Sequence, residues 1–129
     1  MAMVTMRSAL DMAFRTALLL TGDTRTAEAA VTHSIGACED LSPNGLLIEA
    51  VRSAVRRRTK SSDGQYDVEC LPTELQRLFM LLPLPRQCFV LRVLVGLSPE
   101  VCAELLDISV FEFEDAVYEA LTKLPILSS

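Results

Sequence analysis

LPRQCFVLRVLVGLSPEVCAELLDISVFEFEDAVYEALTKL, Leu84 to Leu124, is the stretch whose reading decides the fold. Its punctuation is local. Gly96 suits the left-handed residue that ends a helix. Ser98 is a capping residue, and Pro99 follows at the first helical position, where its missing N–H costs nothing. Asp107-Ile108-Ser109 interrupts the apolar period, which resumes at Val110 and runs to Leu124, before Pro125. The expected layout is therefore a helix, Gly-Leu-Ser, a short helix, a three-residue turn and a longer helix, the order of a helix-turn-helix. In the first helix Phe89, Val90, Val93 and Leu94 are its apolar residues. In the last, Phe113, Val117, Ala120, Leu121 and Leu124 are placed toward the core, which leaves Phe111, Asp115 and Tyr118 together on the outward side.

Upstream of this stretch, Leu75, Leu78, Phe79 and Leu82 give the buried side of a helix that starts near Leu71 and is broken by Pro83 and Pro85. At the front of the chain, Met3, Met6, Leu10, Ala13, Phe14 and Ala17 recur at helical steps, and Gly22 ends that helix. Asp23 or Thr24 then caps a second helix through Ala27, Ala30, Val31 and Ile35 toward Cys38. After the turn Ser42-Pro43-Asn44-Gly45, a third helix places Leu47, Ile48, Val51 and Val55 inward and ends in Arg56-Arg57-Arg58-Thr59-Lys60. No segment alternates with period two for long. The fold class is all-α: a three-helix unit over 1–60, a linker over 61–70 centred on the polar run SSDGQYD, and a four-helix unit over 71–129.

At 129 residues the chain suits one domain or two very small ones, and half of its residues are apolar, enough to hold a core without metal or disulfide. Charge is divided unevenly. Residues 1–60 carry 8 basic and 6 acidic side chains, whereas residues 61–129 carry 4 basic and 11 acidic. An overall charge of −5 disfavours non-specific nucleic-acid binding, which rests on neutralising phosphates. The four cysteines contain no C-x-x-C pair and read as reduced core residues. The apolar run Ala17–Leu20 is too short for a signal or a membrane span, so the expectation is a cytoplasmic protein with no membrane association. One His, no phosphate-binding Gly loop and no nucleophile motif point to a protein that is not an enzyme and needs no cofactor. His33 and Cys38, with no second pair nearby, do not make a metal site. Glu74, Glu100 and Glu104 read as helix surface and capping groups.

Leu84 to Leu124 resembles region 4 of bacterial RNA polymerase sigma factors of the extracytoplasmic-function (ECF) group. The matching positions are Leu84-Pro85-Arg86-Gln87, Val90-Leu91-Arg92, Gly96-Leu97-Ser98, Ala103-Glu104, Leu106, Ile108-Ser109, Ala120 and Leu124. FRTALLLTGDTRTAEAAV, Phe14 to Val31, is similar to the start of region 2 of the same family. LIEAVRSAVRRRTK, Leu47 to Lys60, is similar to its end. The resemblance implies a region 2-like unit and a region 4-like helix-turn-helix unit acting in transcription initiation. It also implies contact with core RNA polymerase or nucleic acid through Arg56, Arg57, Arg58, Lys60, Arg86 and Arg92.

The departures from the family pattern are chemical. From Asp107 to Leu124 there are five acidic side chains against the single Lys123, and Glu114 and Glu119 stand where the family usually has Lys or Arg. Carboxylates facing phosphates repel, so promoter DNA is disfavoured as a partner of this helix. In region 2 the places of the polymerase-binding helix hold Ala29, Thr32 and His33. The aromatic used to open promoter DNA has no counterpart: its place falls near Leu46, and the chain contains no Trp. Exposed aromatics beside carboxylates suit a protein surface, which makes Phe111, Asp115, Tyr118 and Glu119 the candidate protein-interaction residues. Two partner classes follow: core RNA polymerase, for a divergent ECF-like sigma factor, or an anti-sigma-like regulator, for a sigma-like interaction module.

Overall fold

A computed structural model describes residues 6–37, 43–57, 66 and 68–127. Among these the protein is all-α, with no strand. Its contacts divide it into two compact units, Met1–Arg58 and Thr59–Ser129.

The first unit packs three helices against one another: α1 (Met6–Thr21), α2 (Thr24–Ala37) and α3 (Pro43–Arg56). The contact surfaces are rich in alanine. Ala9, Ala13 and Ala17 of α1, Ala27 and Ala30 of α2, and Ala50 and Ala54 of α3 are all buried. Small side chains let helix axes approach closely. Toward its end α1 is enclosed on all sides: Ala17 to Thr21 are buried without interruption, and the Thr21 hydroxyl donates to the Ala17 carbonyl at 2.8 Å. Gly22, at φ 77°, ends α1 and donates its N–H to the Leu18 carbonyl. Asp23 then caps α2. One carboxylate oxygen accepts from the Thr26 N–H at 2.9 Å and from the Thr26 hydroxyl at 2.8 Å. These two bonds, the backbone one first, hold the Asp23 pKa below its ordinary value.

Two inward faces differ from the expected ones. On α2 the buried stripe runs Ala27, Ala30, Val31 and Ser34, and Ile35 is exposed. Ser34 is tolerated inside because its hydroxyl donates to the Ala30 carbonyl at 2.7 Å. On α3 the buried residues are Leu46, Ala50, Val51, Ser53, Ala54 and Val55, whereas Leu47 is half-buried and Ile48 exposed. The stripe is thus centred on Leu46 and Ala50, and the two larger neighbours lie at its edge. Leu46 is core.

The second unit is built on proline geometry. α4 (Thr73–Gln76) passes into a tight 3₁₀ turn, Arg77–Met80. Leu82, forced extended by the ring of the following Pro83, cannot continue it (φ −61°, ψ 156°). Pro83 and Pro85 do not break a helix as expected; they begin one, α5 (Pro83–Phe89), whose first turn needs no N–H donors. In consequence Leu82 is exposed and Leu81 takes the buried place. α5 widens into a π turn over Val90–Val95, where the N–H groups of Gly96 and Leu97 both reach the Leu91 carbonyl at 3.1 Å. Within this segment Val90 and Leu91 are buried, and Val93 and Leu94 are exposed.

α6 (Pro99–Leu106) starts at Ser98, whose hydroxyl accepts from the Val101 N–H, and ends at Asp107 in the left-handed conformation. α7 (Val110–Leu127) starts at Ser109, whose hydroxyl oxygen accepts from the Glu112 N–H at 3.0 Å and whose O–H faces the Glu112 carboxylate at 3.4 Å. This is a Ser-x-x-Glu start, with an acidic side chain at the positive end of the helix dipole. α7 packs on α5 and α6 through Phe113, Ala116 and Ala120; Leu121, expected inward, is exposed.

Candidate functional site

The candidate surface residues gather on α7, and the anchors of that helix set its orientation. Phe113 is almost fully enclosed, and Ala120 lies two turns on. With those two inward, Phe111, at 80% exposure, and Tyr118, at 68%, stand out from the unit, with Asp115 exposed between them. Glu114 and Asp115 are exposed, and Glu119 is partly so, paired with Lys123 of the same helix at 3.4 Å. Among the described residues Asp115 has no ionic partner. The outward side of α7 thus joins two bare aromatic rings to a row of carboxylates.

Beside this side lies a groove of about 480 Å³. One wall is the proline-bounded entry to α5, with Leu82 and Leu84 showing their side chains. The other is α7, contributing Glu112, Asp115, Ala116 and Glu119. The groove was not legible in the sequence, because it depends on Leu82 being extruded by Pro83.

The basic candidates separate. Arg56 and Arg57 are exposed at the end of α3, and Arg57 donates to the Ser53 hydroxyl at 2.6 Å. Arg58 and Lys60 lie outside the described residues. Arg92 is exposed and reaches the Leu97 carbonyl at 3.4 Å. Arg86 corrects the expectation of a surface contact: it is fully buried. Its guanidinium carbon lies 4.5 Å from the Phe79 ring centre and 5.1 Å from that of Tyr66, and Nη1 donates to the Tyr66 hydroxyl at 3.2 Å. The two rings themselves meet at 4.8 Å. Burial pushes the Arg86 pKa down, and the Tyr66 hydroxyl partly opposes this. Arg86 is a core cation held by aromatic faces, and Tyr66, which the sequence places in the linker, packs in the second unit.

The cysteines divide as well. Cys88 and Cys102 are buried as expected, and Cys70 is exposed, a correction to its core assignment. Desolvation pushes the Cys102 thiol up to about 11. Cys38 lies outside the described residues, and His33 is exposed. Among the described residues no group of three or more His, Cys, Asp or Glu side chains could hold a metal ion, and no helix is long and apolar enough to cross a membrane. No protein-family model, curated protein or solved structure matches the chain at a significant level.

Proposed function

We propose that this protein is a divergent relative of the ECF sigma factors that acts in the control of transcription initiation through protein contacts. In this reading the α6–turn–α7 element is a helix-turn-helix whose second helix has exchanged the reading of promoter DNA for the binding of protein. The observation that carries the proposal is the outward side of α7. It offers Phe111 and Tyr118 to solvent among Glu112, Glu114, Asp115 and Glu119. A phosphate backbone is repelled by such a surface, whereas a protein interface gains from burying large aromatics. Arg56 and Arg57, exposed at the end of α3, offer cations for polymerase contact in the first unit.

Exposure of both aromatics also favours a second reading, a sigma-like module that occupies an anti-sigma-like regulator. One experiment addresses both: equilibrium binding of the full chain to purified core RNA polymerase, to a co-encoded anti-sigma candidate and to duplex DNA, each across a salt series. The expected result is binding to one of the two proteins, with a salt dependence shallower than that of a DNA contact. Binding to DNA alone, falling steeply with salt, would overturn the proposal.

A further inference from the structure

We propose that the groove between the start of α5 and α7 is a docking site for a basic amphipathic helix of a partner protein. This rests on the reading of α7 as a protein-binding helix and names the chemistry of what that helix binds. Three features of the groove select this occupant. Its apolar wall is Leu82 and Leu84, exposed large side chains beside Pro83 and Pro85, which lack N–H groups and so cannot donate to a polar ligand. Its opposite wall is acidic. Glu112, Asp115 and Glu119 follow one another at steps of three and four, which places them on one side of α7 over about 10 Å of helix. Among the described residues no Lys or Arg lines the groove; Lys123, which pairs with Glu119, belongs to α7 itself and is half exposed.

Ala116, small and buried, lines the groove along with the carboxylates. A partner helix fits this surface when it carries Leu, Ile or Val along one stripe and Lys or Arg at i, i+3 or i+4, and i+7 beside it. Its apolar stripe would meet Leu82, Leu84 and Ala116, and its cations the three carboxylates, in the helix-in-groove mode of peptide recognition. Nucleic acid does not fit, because the carboxylates would face phosphates.

The test uses the full chain, labelled with ¹⁵N, and a synthetic 18-residue amphipathic peptide with Lys at i, i+3 and i+7 beside a Leu stripe. A control peptide has Glu at the same positions. The expected result is binding of the Lys peptide with amide shifts at Leu82, Leu84 and 112–119, and no comparable binding of the Glu peptide. Glu112→Gln with Asp115→Asn and Glu119→Gln should weaken the Lys peptide about tenfold at low salt, the combined effect of three rim charges. Leu84→Ser should weaken it with helix content unchanged by circular dichroism. Equal binding of both peptides, an unchanged affinity in the triple variant, or shifts confined to Val93 and Leu94 would overturn the site. Self-association of the free chain that the triple variant abolishes would make the occupant a second copy and overturn the partner named here. Duplex DNA shifting 112–119 would overturn both the groove and the protein-binding reading. Peptide binding around Phe111 and Tyr118 alone would remove the groove and leave that reading standing.

Discussion

Replacing Glu114 by Lys and Glu119 by Arg should turn α7 into a helix that binds duplex DNA. Both side chains are at the surface, so neither exchange disturbs the anchors Phe113, Ala116 and Ala120. The segment Asp107–Leu124 carries five acidic side chains and Lys123, and the two reversals bring it to neutrality. If each new cation takes up one phosphate, the slope of log affinity against log salt changes by about −1.8. A fourfold drop in salt, from 200 to 50 mM, then raises affinity about twelvefold in the variant and little in the parent. The structural cost is small. The Glu119–Lys123 pair is half exposed, and exchanging it for like charges costs roughly 0.5–1 kcal/mol, well inside the 5–15 kcal/mol usual for a folded domain. Fluorescence anisotropy with a labelled 20-base-pair duplex at 50, 100 and 200 mM salt reads the slope, and circular dichroism checks that the helix survives. A parent protein that already binds with a slope near −1.8, or a variant with no gain at 50 mM, would refute the claim that acidity on α7 is what excludes DNA.

Further outcomes test the framework. Phe113→Ala should cost about 3–5 kcal/mol and lower the unfolding temperature of the second unit, because it empties an enclosed site. Phe111→Ala, two residues earlier and exposed, should stay within about 0.5 kcal/mol. The lowered pKa of Asp23 makes its contribution fully present above the ordinary value of 3.8 and lost as pH falls through the lower folded value. Asp23→Ser should therefore keep the cap while flattening the acid limb of a stability–pH curve. Gly96→Ala should destabilise by about 1–2 kcal/mol in denaturant titration, from the cost of φ 86° alone, since an added Cβ meets nothing within 4 Å. Alkylation of the native protein at pH 8, read by peptide mass spectrometry, should label Cys70 and spare Cys88 and Cys102. Those two are buried, and the Cys102 thiol is raised to about 11.

What the sequence carried well was punctuation. Gly22, Asp23, Gly96, Ser98 and Pro99 act at the positions their chemistry dictates, because a cap depends on a few neighbouring atoms. What it carried poorly was the choice of face in short apolar runs. In FVLRVLV, Phe89 to Val95, six of seven residues are apolar, so periodicity offers no contrast and tertiary packing selects Val90 and Leu91. In α3 the run Leu46-Leu47-Ile48 is equally ambiguous, and the close packing set by Ala50 and Ala54 draws Leu46 inside. Arg86 was misplaced for a different reason. Its cage comes from Phe79, seven residues before it, and Tyr66, twenty before it, and no local pattern links an arginine to aromatics so spaced. The outward set Phe111, Asp115 and Tyr118 was legible because α7 is long enough for its period to speak.

The most direct test of the central claim is site-specific photo-crosslinking in the cell the protein comes from. A photoreactive phenylalanine analogue would replace Tyr118, the exposed aromatic in the middle of α7. The expected result is one discrete protein adduct, resistant to nuclease and identified by mass spectrometry. An adduct that collapses on nuclease digestion would show that this helix lies on nucleic acid and would contradict the account.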